Sequence, residues 1–187
     1  DSIRNKYDID GGAKITVDNG DMEVGSVRGK RQRVEDPQGR VGMTTVREHF
    51  SELSAPNGKI VTGDVRDTVK LDADTIITLN LVDNIKVTGK NILVYGTKVT
   101  YDVEFFLKKG GKIRFYDQGS GFDISDDAII NLENGKKINI RDLKRDKLIS
   151  LGGKDITYDY IDDRENIKKS AKNNSGNKFG FGKIFHK

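Results

Sequence analysis

Short apolar-polar alternations, cut every few residues by Gly, Asn or Asp, run through most of this chain. "KITVDNG" alternates and then meets Asn19-Gly20, a turn signal. "DTIITLNLVD" puts Ile77, Leu79 and Leu81 on one face, and "TYDVEFFL" does the same with Tyr101, Val103, Phe105 and Leu107. "KIRFYD", "AIINL", "KKINIRDL", "KLISL" and "DITYDYI" follow. A period of two in segments this short excludes a helical bundle and predicts an all-β fold of many short strands and hairpins. No longer repeat of the solenoid kind is read from the sequence. "ITVDNGDMEV" and "IINLENGKKINIRDL" share the cadence strand, x-Asn-Gly, strand, which predicts two hairpins.

One stretch departs from the alternation. "TTVREHFSEL" spaces Val46, Phe50 and Leu53 as on a helix, with Thr44 or Thr45 as N-cap, so a small helix is expected there. Before it, Gly25 to Gly42 is charged and glycine-rich and reads as a loop, and Lys168 to Lys178 reads as a second polar loop. The 187 residues suit a single domain, 1–187, with 25–90 as an insertion or extended loop region.

Composition narrows the chemistry. There is no cysteine, so disulfides and thiol nucleophiles are excluded. Mean hydropathy is −0.62, and no apolar run approaches the roughly 20 residues that span a membrane. No signal-peptide pattern is seen, and a cytoplasmic location is expected. The 33 basic and 29 acidic residues read as well mixed, which speaks against a dedicated nucleic-acid surface.

Four places could carry chemistry. Ser2 stands near the start, and His186, one of 2 histidines, follows the apolar "FGFGKIF". Ser125, Asp126 and Asp127 cluster in "GFDISDDAIINL"; paired aspartates can hold a cation, but the spacing is not that of a calcium loop. In "ITYDYID", Asp159 faces away from Tyr158 and Tyr160.

These places resemble, in order and setting, the splicing blocks of inteins, most closely those inserted in family B DNA polymerases. Such inteins begin with Ser or Cys, carry a Lys-Val-x-Tyr segment followed by a Thr-x-Asp-His block, and end on a Gly-Phe-Gly strand with His-Asn. "KVTYDVEFFLKKGGKIRFYDQGSGFDISDDAII", "TYDY" and "FGFGKIFHK" occupy the corresponding places. The resemblance covers the first residues and most of 98–187, and it makes 25–90 an insertion too short for the full homing endonuclease that such inteins can carry. It implies the Hint horseshoe, in which both chain ends meet in one site.

It also implies a mechanism. Ser2 attacks the carbonyl of the flanking Asp1 and converts the amide to an ester. Ser125 orients that bond, with Asp127 or Asp126 as a substitute proton donor. Asp159 relays protons, and His186 polarises the last carbonyl while the terminal residue cyclises. Ser125 and Asp159 should then share one site, with Asp126 or Asp127 in solvent. Two departures stand out. Ala128 takes the place of the family's acid-base histidine, and Lys187 that of its terminal asparagine, so the chain would be a stalled form. The implied partners are the chain's own flanking segments, a DNA polymerase as host, and a complementary fragment if the intein is split. Neither a metal nor another cofactor is implied, nor a membrane or specific nucleic acid. The alternative reading is a non-enzymatic β-rich structural or binding module of the kind found in phage particles.

Overall fold

The computed structural model describes residues 3–4, 8–116, 123–145 and 156–160. In chain order the first strands are β1 (Ile3–Arg4), β2 (Lys14–Thr16), β3 (Met22–Glu23), β4 (Val27–Arg28), β5 (Arg31–Glu35) and β6 (Val41–Thr45). The middle of the chain forms β7 (Ser51–Val61), β8 (Val65–Arg66), β9 (Val69–Thr78), β10 (Leu81–Val82), β11 (Ile85–Val94), β12 (Lys98–Val99) and β13 (Val103–Phe115). After it come β14 (Asp123–Ile124), β15 (Ile129–Leu132), β16 (Lys137–Asn139), helix α1 (Ile140–Arg145) and β17 (Ile156–Asp159). Among the described residues the fold is all-β, as the period of two requires, with one short helix.

The pairing differs from a set of hairpins. Among the described residues, eleven of fourteen strand pairings are parallel. Long strands β7, β9, β11 and β13 lie side by side in one sheet, while the two-residue strands β4, β8, β10, β12 and β14 stack in another. The chain therefore winds as a solenoid: long strand, turn, short strand, turn, next long strand. Val69 sits beside Ile85 and Ile85 beside Val103, so successive turns are 16 and 18 residues long. The expectation that no solenoid repeat exists is overturned. So is the expected hairpin at Asn19-Gly20, because β2 and β3 each pair parallel with β7. The Asn134-Gly135 hairpin forms as expected, β15 against β16 antiparallel.

Each long strand turns a corner. In β9 the buried positions are Val69, Leu71 and Ala73, then Ile76 and Thr78. The skip at Asp74–Thr75 breaks the period of two, and β11 repeats it between Gly89 and Ile92. Small residues Ala55, Ala73 and Gly89 occupy the inside of this bend, where a Cβ on Gly89 would already stand 3.1 Å from the Ala73 carbonyl. The enclosed core is a dry stack of Val, Ile, Leu and Phe, with Phe105 and Phe115 edge to face at 5.3 Å.

The other corners are polar and stacked. Asp67–Thr68 and Asp83–Asn84 all have positive φ, 55° to 67°, one turn apart, and the Asn84 amide donates to Thr68 Oγ1 at 3.2 Å. At the next corner Asn80 donates to Asp64 Oδ1 at 2.8 Å and accepts from the Lys98 amide at 2.9 Å. Burial pushes the Asp64 carboxyl up, but hydrogen bonds from Arg66 and Asn80 hold it below its ordinary 3.8. A carboxylate depressed on folding stabilises above its ordinary value, and that contribution disappears as pH falls. Asp64→Asn should therefore cost stability at neutral pH and flatten the decline of Tm below about pH 4, read by thermal melts across pH.

The helix expected over 44–53 is absent. Ser51, Leu53 and Ala55 alternate inward as the start of β7, and the only described helix is α1, where "INIRDL" had read as strand. Residues 51–90, expected within an insertion, supply central strands of the main sheet.

Candidate binding surface

One segment leaves the solenoid. Among the described residues, strands β5 and β6 pair only with each other, antiparallel from Arg31–Thr45 to Glu35–Val41. The loop expected over Gly25 to Gly42 is thus largely a two-stranded ribbon. Its turn is built by Asp36, whose Oδ1 accepts the amides of Gln38 and Arg40, both at 2.9 Å, while Oδ2 accepts from Arg40 Nε at 2.6 Å. The Arg40 amide is the first cause of the lowered Asp36 pKa, followed by burial acting against it and the Arg40 guanidinium acting with it. Gly39 takes φ +74°, which closes the turn. At the base, Asp67 accepts from Thr45 Oγ1 at 2.8 Å and faces Arg28 Nε at 3.4 Å and Arg31 Nε at 3.9 Å.

All five β5 residues are exposed, as are Val41, Gly42, Met43 and Thr44, so both faces of the ribbon meet solvent. Alternation sets Arg31, Arg33 and Glu35 on one face with Val41, Met43 and Thr45. Val34, Val41 and Met43 are three of the five exposed large hydrophobics among the described residues. Residues 28–47 hold six basic side chains (Arg28, Lys30, Arg31, Arg33, Arg40 and Arg47) and two acids. Six bases against two acids give this segment a net charge of +4, while residues 166–187 hold six lysines and no acid and the rest of the chain is acidic, 21 bases against 27 acids. The even mixing expected of the charges holds for the whole chain and not locally. The missed signal was local: R-Q-R-V-E and V-G-M-T-T around D-P-Q-G is a hairpin with a proline-glycine turn.

The residues expected to catalyse splicing fall elsewhere. Ser2 and His186 lie outside the described residues, as do Asp1 and Lys187. Ser125 shapes the turn from β14 to β15: its amide donates to the Val99 carbonyl at 2.9 Å, and its Oγ accepts from the Asp127 amide at 3.3 Å. Asp126 and Asp127 both face solvent, which satisfies that part of the expectation. Asp127 accepts from Arg141 at 2.8 Å; Asp126 accepts from Lys144 at 2.7 Å, and that bond is the first cause of its lowered pKa. Ala128 is fully buried, and its carbonyl accepts from the Ile140 amide. A histidine there would have to enter the core.

Asp159 is half-exposed on β17 opposite Lys112, at 3.6 Å, with Tyr158 and Tyr160 buried on the other face, as the alternation predicts. It does not meet Ser125. Ile129 pairs with Glu104 and Asp159 with Lys112, which lie five residues apart measured along β11, from Lys86 to Asn91. That is about 17 Å along the sheet, and Ser125 lies further out still, beside Val99.

A cavity of about 310 Å³ is lined by Asp8, Asp10, Asp64, Arg28 and Arg66, three acids against two bases. Among the described residues no group of three or more acidic or histidine side chains is placed to hold a metal ion. No described helix is long and apolar enough to cross a membrane. Fold and surface together define a parallel β-solenoid bearing a projecting basic ribbon. Comparison with family models, with curated proteins and with solved structures gives no significant match.

Proposed function

We propose that the protein is a non-enzymatic β-solenoid binding module that grips a linear polyanion with the ribbon and its flanks, residues 28–47. The observation that carries this reading is a ribbon that leaves the solenoid with both faces exposed, in a segment, residues 28–47, that holds six basic side chains against two acids. A solenoid stacks the same rung repeatedly and gives a stiff platform. A ribbon of five residues per strand presents about 17 Å of alternating arginine, threonine and apolar side chains. Its cations would meet regularly spaced acidic groups, and the exposed Val41 and Met43 would pack on the uncharged parts of the polymer. Splicing is less well supported, because it needs Ser125 and Asp159 in one site.

Fluorescein-labelled heparin, titrated by anisotropy over a range of salt, tests the binding reading. The double variant Arg33→Glu with Arg47→Glu should bind more weakly, and its log-log salt slope should fall by about two units, about one per lost cation contact. Lys137→Glu on the exposed edge strand β16 should leave binding close to native. Equal losses from both variants would show that net charge alone is at work and sink the ribbon's role. Expressed between flanking sequences with asparagine restored at 187, the chain should keep one unchanged mass; ligated flanks would establish splicing instead.

A further inference from the structure

The outer face formed by the second halves of the long strands has an order along the solenoid axis. Strand register stacks Glu23, Val61, Ile77, Leu93 and Arg114 in one outward row. The row beside it runs Gly25, Gly63, Leu79, Tyr95 and Tyr116, tied by the bonds from the Gly63 amide to Gly25 and from the Leu79 amide to Gly63, and by the Tyr95–Tyr116 stack at 4.1 Å. On the other side run Asp21, Lys59, Thr75, Asn91 and Lys112, with Asp21 bridged to Lys59 at 3.5 Å. Leu79, at the centre, is 43% exposed.

From this order we infer that the face is self-complementary and joins two copies of the chain about a two-fold axis parallel to the strands at the level of Ile77. Such an axis reverses the order of the rungs and lays each row on its own copy. Ile77 then meets Ile77 and Leu79 meets Leu79. Val61 meets Leu93. Glu23 faces Arg114, opposite in charge, while Asp21 faces a Lys112 that Asp159 already bridges at 3.6 Å within the chain, so the Glu23–Arg114 pair carries the charge match. Gly63 and Gly25, which carry no side chain, face Tyr95 and Tyr116, the largest residues of the row. Charge, apolarity and size all match under one operation. The opposite arrangement, with rungs in the same order, reverses the strands and would set Arg114 against Arg114, Glu23 against Glu23 and Tyr95 against Asn91. Five rungs span about 19 Å, which is small for a specific interface, so the dimer should dissociate on dilution.

Sedimentation velocity across a concentration series tests this independently of the ribbon. The native chain should shift from monomer to dimer mass as concentration rises. Glu23→Arg alone and Arg114→Glu alone should each weaken association about tenfold or more, because each sets like charges across the axis. The two together should restore it, although within one chain these residues stand four rungs apart. Ile77→Lys should give monomer at every concentration, and far-UV circular dichroism should show each variant folded, since the altered side chains point outward. A native chain that stays monomeric throughout, or a dimer whose strength ignores the charge swap, would overturn the inference.

Discussion

Phe105→Ala should lower the free energy of unfolding by about 3–5 kcal/mol and Tm by about 10 °C, measured by denaturant and thermal melts. Phe105 is fully buried between Val87 and Ile130 on the neighbouring rungs and meets the edge of Phe115. Truncation leaves a cavity that a solenoid cannot collapse, because each rung is pinned by backbone hydrogen bonds to the rungs on either side. Phe106→Ala, one residue on, removes an outward side chain of half burial and should cost under about 1 kcal/mol. The ranking of these adjacent phenylalanines tests the register, since a slip by one residue would reverse it.

Gly29→Ala should cost about 3 kcal/mol or more. Gly29 leaves β4 with its amide bonded to the Arg66 carbonyl at 2.9 Å, and an added methyl would fall on the Asp67 carbonyl oxygen of the next turn. Neither backbone can retreat without breaking the stack of short strands. Gly42→Ala on the ribbon meets nothing within 4 Å and should stay within about 0.5 kcal/mol of native. Chemical denaturation of both variants checks the contrast; similar stabilities would mean that β4 does not pack on β8 as described.

The sequence declared its strands more clearly than their partners. Val103, Phe105 and Leu107 are buried on one face as the alternation required, and Tyr158 and Tyr160 oppose Asp159. The phase was lost at the corners: Ile77 and Leu79 face out while Leu81 faces in, because the chain turns between them. Period-two alternation is the same for parallel and antiparallel strands, so it does not distinguish a hairpin from a solenoid turn. The repeat itself is visible once aligned, with "VKLDADTIIT" over "IKVTGKNILV" at a spacing of 16. It is faint because the polar corner Asp67-Thr68 recurs only once in kind, as Asp83-Asn84, and the next turn has 18 residues. Helical spacing of Val46, Phe50 and Leu53 arose by chance across the junction of a turn and β7. As for the site, Ser125 and Asp159 carry plausible chemistry one at a time, but distance along a parallel sheet decided against their meeting. The ribbon was hidden by its length, since five residues per strand and a charged composition look like loop.

Parallel stacking of the chain is tested most directly by nitroxide labels at cysteines introduced at Lys70 and Lys86, in a protein that has no other cysteine. Both side chains point outward beside Phe50, and the two residues are register partners on adjacent strands. In the solenoid the labels lie on neighbouring rungs, about 5 Å apart at the backbone, and the continuous-wave spectrum should be strongly broadened by dipolar coupling. A hairpin of the same two segments would set Lys70 opposite Leu93, about 23 Å along the strand from Lys86. A sharp, uncoupled spectrum from the doubly labelled protein would contradict the solenoid.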